Sequence, residues 1–310
     1  MRRRTAGLAQ AAIAVGGGAM SVWWLLQVAR QWAEDGYFAW DGGAHFAVGL
    51  AGVLVFAIAW VWSLGTSLSA VRAAKPAVIS QRASLGRTDF LVTGTDTGVG
   101  KTVVAAALVL ALRESGRRAI GFKPAETGIG PAAVADSAIL ARASAEDDPL
   151  ARPLISLAEG LAPAVAAERA GLVVDPREIE ARIRALRAGH EVVVVEGAGG
   201  VAVPLAGGYT ALDLASACAL QAVVVARPGL GTLNHIALTV AALRAGGVAV
   251  AAIILNGASS APDLAEATNP AALARMLPGV RCLSLPRQDT TDPWEVAQLL
   301  APRLAELTKV

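Results

Sequence analysis

Two arrangements of apolar residues divide the 310-residue chain. From Thr5 to Ala29, and again from Gly42 to Val71, no Asp, Glu, Lys or Arg occurs. Each stretch exceeds the about 20 helical residues needed to cross a hydrocarbon core. Beyond Thr88 the pattern changes, and short runs of Val, Ile and Ala alternate with longer segments of helical period. Such runs predict strands near 90–93, 119–122, 192–195, 222–226, 248–255 and 280–285, buried on both faces. Their alternation with helices predicts a three-layer α/β domain around a mostly parallel sheet.

The apolar stretches predict a two-helix transmembrane hairpin near 5–29 and 44–68, followed by a polar linker, the whole forming a leader over residues 1–88. The first helix is the weaker, because Gly16–Gly18 loosen it and Gln10 and Gln27 are polar. Arg2, Arg3 and Arg4 precede the hairpin and Arg72, Lys75, Arg82 and Arg87 follow it, so the positive-inside rule puts both ends, and the domain at 89–310, in the cytoplasm. A start site placed too far upstream would explain the same leader without a membrane. A cleaved secretory signal fits worse, since a second apolar stretch follows the first, and a transit peptide should lack such stretches.

Composition separates the same two parts. Six of the seven tryptophans lie in the first 62 residues. Residues 1–88 carry eight Lys and Arg against three Asp and Glu, whereas residues 89–310 carry nineteen against twenty-two. Nucleic acid is therefore excluded as an expected partner, because phosphate neutralisation needs a basic face that the domain lacks. Cys218 and Cys282 sit in apolar runs and read as structural thiols.

The chemistry begins at Gly94–Thr102, GTDTGVGKT, between a predicted strand and a predicted helix. Glycines let backbone N–H groups turn around a phosphate, and the helix start adds its positive dipole end. Lys101 would neutralise phosphate oxygens and the Thr102 hydroxyl would reach Mg²⁺. Thr97, Gly98, Val99, Gly100 and Val103 complete the cradle. This pattern in this context predicts nucleotide binding, with ATP and Mg²⁺ as the implied ligands.

Five further places carry candidate chemistry. Lys123 and Thr127, in GFKPAETG, lie past the carboxyl end of a strand, where parallel sheets bind ligands. Asp136 opens a helix, either as its N-cap or as a Mg²⁺ ligand, and the sequence leaves both open. Glu196 ends the strand VVVV, where an acid of a P-loop fold faces the phosphates and the cation. Gly231, Thr232, Leu233 and Asn234 bring free N–H groups to a second helix start, a second anion seat. Asn256 ends a buried strand and serves a turn or reads an adenine edge. His235 reads as packing or capping.

Taken in order, FLVTGTDTGVGKT, GFKPAETG, VVVVEGAGG, GLGTLNH and the strand ending at Asn256 resemble the dethiobiotin synthetase family across residues 89–310. The leader has no counterpart there. The resemblance implies a homodimeric enzyme that uses CO₂ and Mg-ATP to close 7,8-diaminononanoate into dethiobiotin, releasing ADP and phosphate. By resemblance, Lys101 and Lys123 are catalytic, Thr97–Val103 hold phosphates, and Thr102, Asp136 and Glu196 hold Mg²⁺. Thr127 contacts the diamine or carbamate end, Gly231–Asn234 receive the substrate carboxylate, and Asn256 reads adenine. Ala164 stands where a histidine is common in that family.

The competing reading is a membrane-associated partitioning-type ATPase, a switch and not a biosynthetic enzyme. Such proteins put a lysine early in the phosphate loop, where this chain has Thr95-Asp96, and bind membrane through a C-terminal amphipathic helix. The segment from Asp292 is helical and partly amphipathic, and it reads as a docked final helix.

Overall fold

The computed structural model describes residues 87–130 and 134–309, together with Arg30. The expected hairpin and nearly all of its linker lie outside the described residues. Among the described residues, no helix is long and apolar enough to cross a membrane. The chain divides into two units, Met1–Ala77 and Val78–Val310, and the second carries everything below.

Its centre is a six-stranded sheet: β1 (Phe90–Gly94), β2 (Ala119–Phe122), β5 (Val192–Gly200), β8 (Gln221–Ala226), β9 (Val250–Ala258) and β10 (Arg281–Pro286). Every neighbouring pair is parallel, in the order β10-β9-β8-β1-β5-β2. Phe90 lies opposite Val194 on one side and Gln221 on the other. Two small pairs lie apart, β3 (Ala125–Thr127) with β4 (Ile155–Leu157) and β6 (Pro204–Ala206) with β7 (Tyr209–Thr210).

Side chains alternate across a strand, so each buried run feeds two cores. Phe90, Val92, Val194 and Val223 face a cluster with α1 (Lys101–Glu114), α2 (Asp136–Ser144) and α8 (Pro293–Leu304). Leu91, Val193, Val195 and Val224 face the opposite cluster, with α4 (Pro176–Gly189), α5 (Ala211–Ala217), α6 (Thr232–Ala245) and α7 (Leu264–Met276). A short α3 (Pro163–Arg169) follows β4. This is the three-layer arrangement expected from the sequence. Each fully buried Leu or Val of α1, such as Val104, Leu108 and Leu112, contributes about 1.5–3 kcal/mol of burial.

Two features position the site. The chain leaves β1 for β2 on one flank and later crosses to β8 on the other, so the strand order reverses beside β1. A crevice opens at such a reversal, at the carboxyl ends of the strands. Gly121 in β2 then lets α2 come close: a Cβ there would lie 2.9 Å from Leu140 Cβ. The Gly121 N–H also donates to Ser144 Oγ at 2.9 Å. The opposite end of α2, with Asp136, consequently stands over the end of β2, where Lys123 follows.

One local expectation changes. The sequence ends this strand at Glu196, yet β5 runs on through the following Gly-Ala-Gly-Gly to Gly200, which registers with Gly94 across a bulge. Parallel pairing to β1 supplies partners that the glycines do not supply locally.

Candidate active site

The phosphate loop turns out of β1 into α1 through Gly100, whose φ of 92° is left-handed. A Cβ at Gly100 would come within 2.1 Å of Asn256 Nδ2, so only glycine fits both the backbone and the neighbour. Asn256 in turn donates to the Val99 carbonyl at 3.0 Å. The residue expected to read adenine therefore also ties the end of β9 to the loop.

Behind the loop, four predicted residues meet. Lys123 Nζ donates to Glu196 Oε1 and to Asp136 Oδ2, each at 2.6 Å. The Thr102 hydroxyl donates to the same Glu196 Oε1 at 2.8 Å. Lys123 and Glu196 are buried, while Asp136 is 41% exposed. Asp136 is not a cap: Ala135 holds the N-cap position without a side-chain bond, and Asp136 turns to Lys123 instead. Lys101 is also buried, and its ammonium donates to the Asp96 carbonyl at 3.1 Å.

Burial and neighbours shift these groups in different directions. Burial lowers the Lys101 pKa, with Lys123 adding to the effect, and Glu196 only partly opposes it. For Lys123, burial also pulls downward, but Glu196 and Asp136 outweigh it and the group is held above the usual lysine value. Complete burial raises Glu196, against the pull of Lys123. Among the described residues, Glu196 Oε2 is buried without a hydrogen-bond partner. An orphaned carboxylate oxygen is costly unless something compensates it. Beside a hydroxyl and a second carboxylate, it completes a hard-oxygen donor set that fits Mg²⁺.

These residues line a cavity of about 400 Å³ that also reaches Thr97, Gly98, Gly100, Val103 and Thr127. A second cavity, of about 560 Å³, opens on the β8–β9 flank and shares Gly98 and Gly100 with the first. Val99, Thr232 and Asn256 line it. Gly231 (φ 92°) starts α6 with no side-chain cap, and Thr232 Oγ1 is buried without a partner among the described residues. Leu233 is half-buried and Asn234 exposed on the same first turn. Of the residues expected to seat a second anion, Thr232 thus lines the cavity of Asn256 and not that of Lys123 and Thr127.

Two residues, Arg227 and Glu126, escaped the sequence reading, and a third, His235, was misread. Arg227, just past β8, donates to Asp96 Oδ2 at 3.1 Å and to the Thr97 carbonyl at 3.4 Å, bracing the loop from the second cavity. Its place at a strand's carboxyl end was the available signal. His235 is exposed and lines that cavity, so the packing reading fails. Glu126, between Lys123 and Thr127, is buried.

A glycine cradle, two lysines and an oxygen donor set at the switch point of a parallel sheet define a P-loop nucleotide-binding protein, and residues 88–294 match the family model described as AAA domain. Within that class, the chain belongs to the ATP-dependent dethiobiotin synthetase family. A relative of that name from Anaeromyxobacter sp. (strain Fw109-5) is 49% identical over 188 residues, 60% of this chain and 84% of the relative. One from Rhodococcus jostii is 46% identical over 185 residues, 58% of this chain and 78% of the relative. One from Bacillus licheniformis is 39% identical over 215 residues, 68% and 91%. Among solved structures, the septum site-determining protein MinD with Mg-ADP from Pyrococcus horikoshii OT3 is 19% identical with a TM-score of 0.46, covering 72% of this chain and 94% of that one. A likeness at that level carries no argument about activity.

Proposed function

We propose that the protein makes dethiobiotin from 7,8-diaminononanoate, CO₂ and Mg-ATP, with ADP and phosphate as the other products. One amine attacks CO₂ and loses a proton, giving a carbamate. A carbamate oxygen attacks the γ-phosphorus and ADP leaves, forming a carbamic-phosphoric anhydride. The second amine attacks the carbonyl carbon, phosphate departs with the C–O bond electrons, and a proton is lost as the cyclic urea closes.

All nucleophiles come from the substrates, so the protein's part is placement and charge compensation. Lys101 and the loop N–H groups from Thr97 to Val103 would hold the triphosphate. Lys123, fixed by two carboxylates, would face the carbamate and the transferred phosphoryl group, with Thr127 beside it. Mg²⁺, held by Thr102, Asp136 and Glu196, would neutralise phosphate charge. Asn256 would read the base from the second cavity.

The observation that carries this reading is the Lys123–Glu196–Thr102 chain. It joins a strand-end lysine to the phosphate loop through one buried acid. Thr232 lines the second cavity, whereas Lys123 and Thr127 line the first, so the proposed carboxylate seat and the carbamate end would open on different cavities of one chain. A second copy would supply the carboxylate seat, and we read the enzyme as a homodimer.

The partitioning-ATPase reading finds no support in the final helix. Ala297, Leu300, Ala301 and Leu304 of α8 are buried in the core cluster with α1, so the main apolar side of that helix is turned inward, with Leu299 exposed on the other side. Diamine-stimulated ATP hydrolysis is the test of the proposal. ATP turnover should rise several-fold or more on adding 7,8-diaminononanoate with bicarbonate, and a rate indifferent to the diamine contradicts it.

A further inference from the structure

We propose that Glu126 is a positioning residue, a helix cap supplied from outside that holds Asp136 toward Lys123 and the bound cation. The proposal rests on the assignment of Asp136 to the Mg²⁺ site made above.

The helix that carries Asp136 lacks a cap of its own. Ala135 has no side-chain acceptor, and the Asp136 carboxylate is turned to Lys123. The first-turn N–H groups of a helix need acceptors. Glu126 reaches across from β3 to provide one: Oε1 accepts the Ser137 N–H at 2.6 Å, and Oε2 accepts the Ser137 hydroxyl at 2.9 Å. The Ser156 hydroxyl of β4 adds a longer bond to Oε2 at 3.4 Å. Glu126 is 3% exposed, and a carboxyl at that depth is costly unless hydrogen-bonded. Both of its oxygens bond the residue next to Asp136.

The other end of α2 is fixed separately, by Ser144 on Gly121. Removing the Glu126 bonds would free the first turn while the last turn stays docked. Asp136 would then lose its orientation, and Lys123 one of its two carboxylates. The phosphate loop, held by Asn256 and Arg227 on the opposite flank, would be untouched.

Calorimetric titration of the full chain with ADP, and with Mg²⁺ at saturating ADP, reads this directly. E126A should weaken Mg²⁺ roughly tenfold, as loss of a residue that orients a metal ligand does, and E126Q, which keeps one acceptor for Ser137, roughly threefold. ADP affinity without Mg²⁺ should not move. E126A with the wild-type Mg²⁺ titration, or with equal losses in both affinities, overturns the proposal. In a D136N background, E126A should cause no further loss, and an additive loss overturns it too. If E126A does not fold, E126Q and S137A carry the same comparison. D136N binding Mg²⁺ like the wild type would instead sink the assignment of Asp136, and an absence of dethiobiotin synthesis would sink the functional reading while these titrations stay interpretable.

Discussion

On the β2–β5 flank of the phosphate loop, Lys123, Glu196 and Asp136 form a continuous ion-paired chain with two members out of water. On the β8–β9 flank, Asn256, Thr232 at the start of α6 and the exposed Arg227 and His235 line a larger cavity. The first flank holds formal charge in a low-dielectric setting, where each group is stable only because of its neighbour. The second uses a neutral amide, a helix start and the solvated guanidinium of Arg227. That division suits the two ends of the proposed reaction. Charge migrates among carbamate, anhydride and phosphate, so compensating groups there must be fixed beforehand. A base edge or a distant carboxylate needs only directed hydrogen bonds.

The flanks should consequently fail in different ways. Lys101→Ala, at the junction, should lower kcat/KM for ATP by roughly 10³. Near-normal steady-state turnover would remove the loop lysine from the chemistry. Glu196→Gln should abolish dethiobiotin formation and also lower unfolding free energy by about 3 kcal/mol, because it leaves Lys123 with a broken buried pair. Urea denaturation measures the second effect, and an unchanged midpoint would mean that the ion pair is not part of the fold's stability.

The two lysines should separate by pH. The Lys101 cation is lost at a pH below the ordinary lysine value, since burial lowers its pKa, so kcat/KM for ATP should fall on an alkaline limb below 10.5. Bound triphosphate favours the cation, and the corresponding limb in kcat should lie higher. Linkage gives opposite stability slopes. The unfolded chain keeps the Lys101 proton longer than the folded one, so this group makes stability rise with pH between its lowered value and the unfolded one. The Lys123 contribution, from a raised pKa, is fully present below the unfolded value and is lost as pH rises through the folded one. Coincident alkaline limbs in kcat and kcat/KM would contradict the Lys101 assignment.

Smaller effects belong to the second flank. Asn256→Ala should raise KM for ATP roughly tenfold, the loss of one or two hydrogen bonds, with kcat largely retained and discrimination against GTP relaxed. Competition assays between the two nucleotides check this, and a kcat loss as large as that of Lys101→Ala would erase the distinction between the flanks. Gly231→Ala should cost about 1 kcal/mol through its left-handed backbone, visible as a few degrees in thermal melting.

Much of this was legible before the structure. Five of the six strands showed as apolar runs because helices cover both faces, whereas β10 at the sheet edge buries only Leu285. Lys101 and Thr102 were readable because they open the helix after the phosphate loop, Lys123 because it follows a strand, and Glu196 because it ends the run of valines. Asp136 was ambiguous: an acid at a helix start looks the same whether it caps the helix or faces a cation, and only its contact with Lys123 separates the two. Glu126 was passed over because its partner, Ser137, is eleven residues away and on another element. Which candidate residues share a cavity also required the strand order, since β8 and β9 lie on the far side of β1 from β2 and β5. The short β3–β4 and β6–β7 pairs carry too few residues for a periodic signal.

The central claim is tested most directly by incubating the full-length protein with 7,8-diaminononanoate, bicarbonate and Mg-ATP and following product mass together with ADP and phosphate. The account predicts the cyclic urea, with one ADP and one phosphate released for each molecule formed. ATP hydrolysis without any cyclic urea, at a rate the diamine does not change, would contradict it.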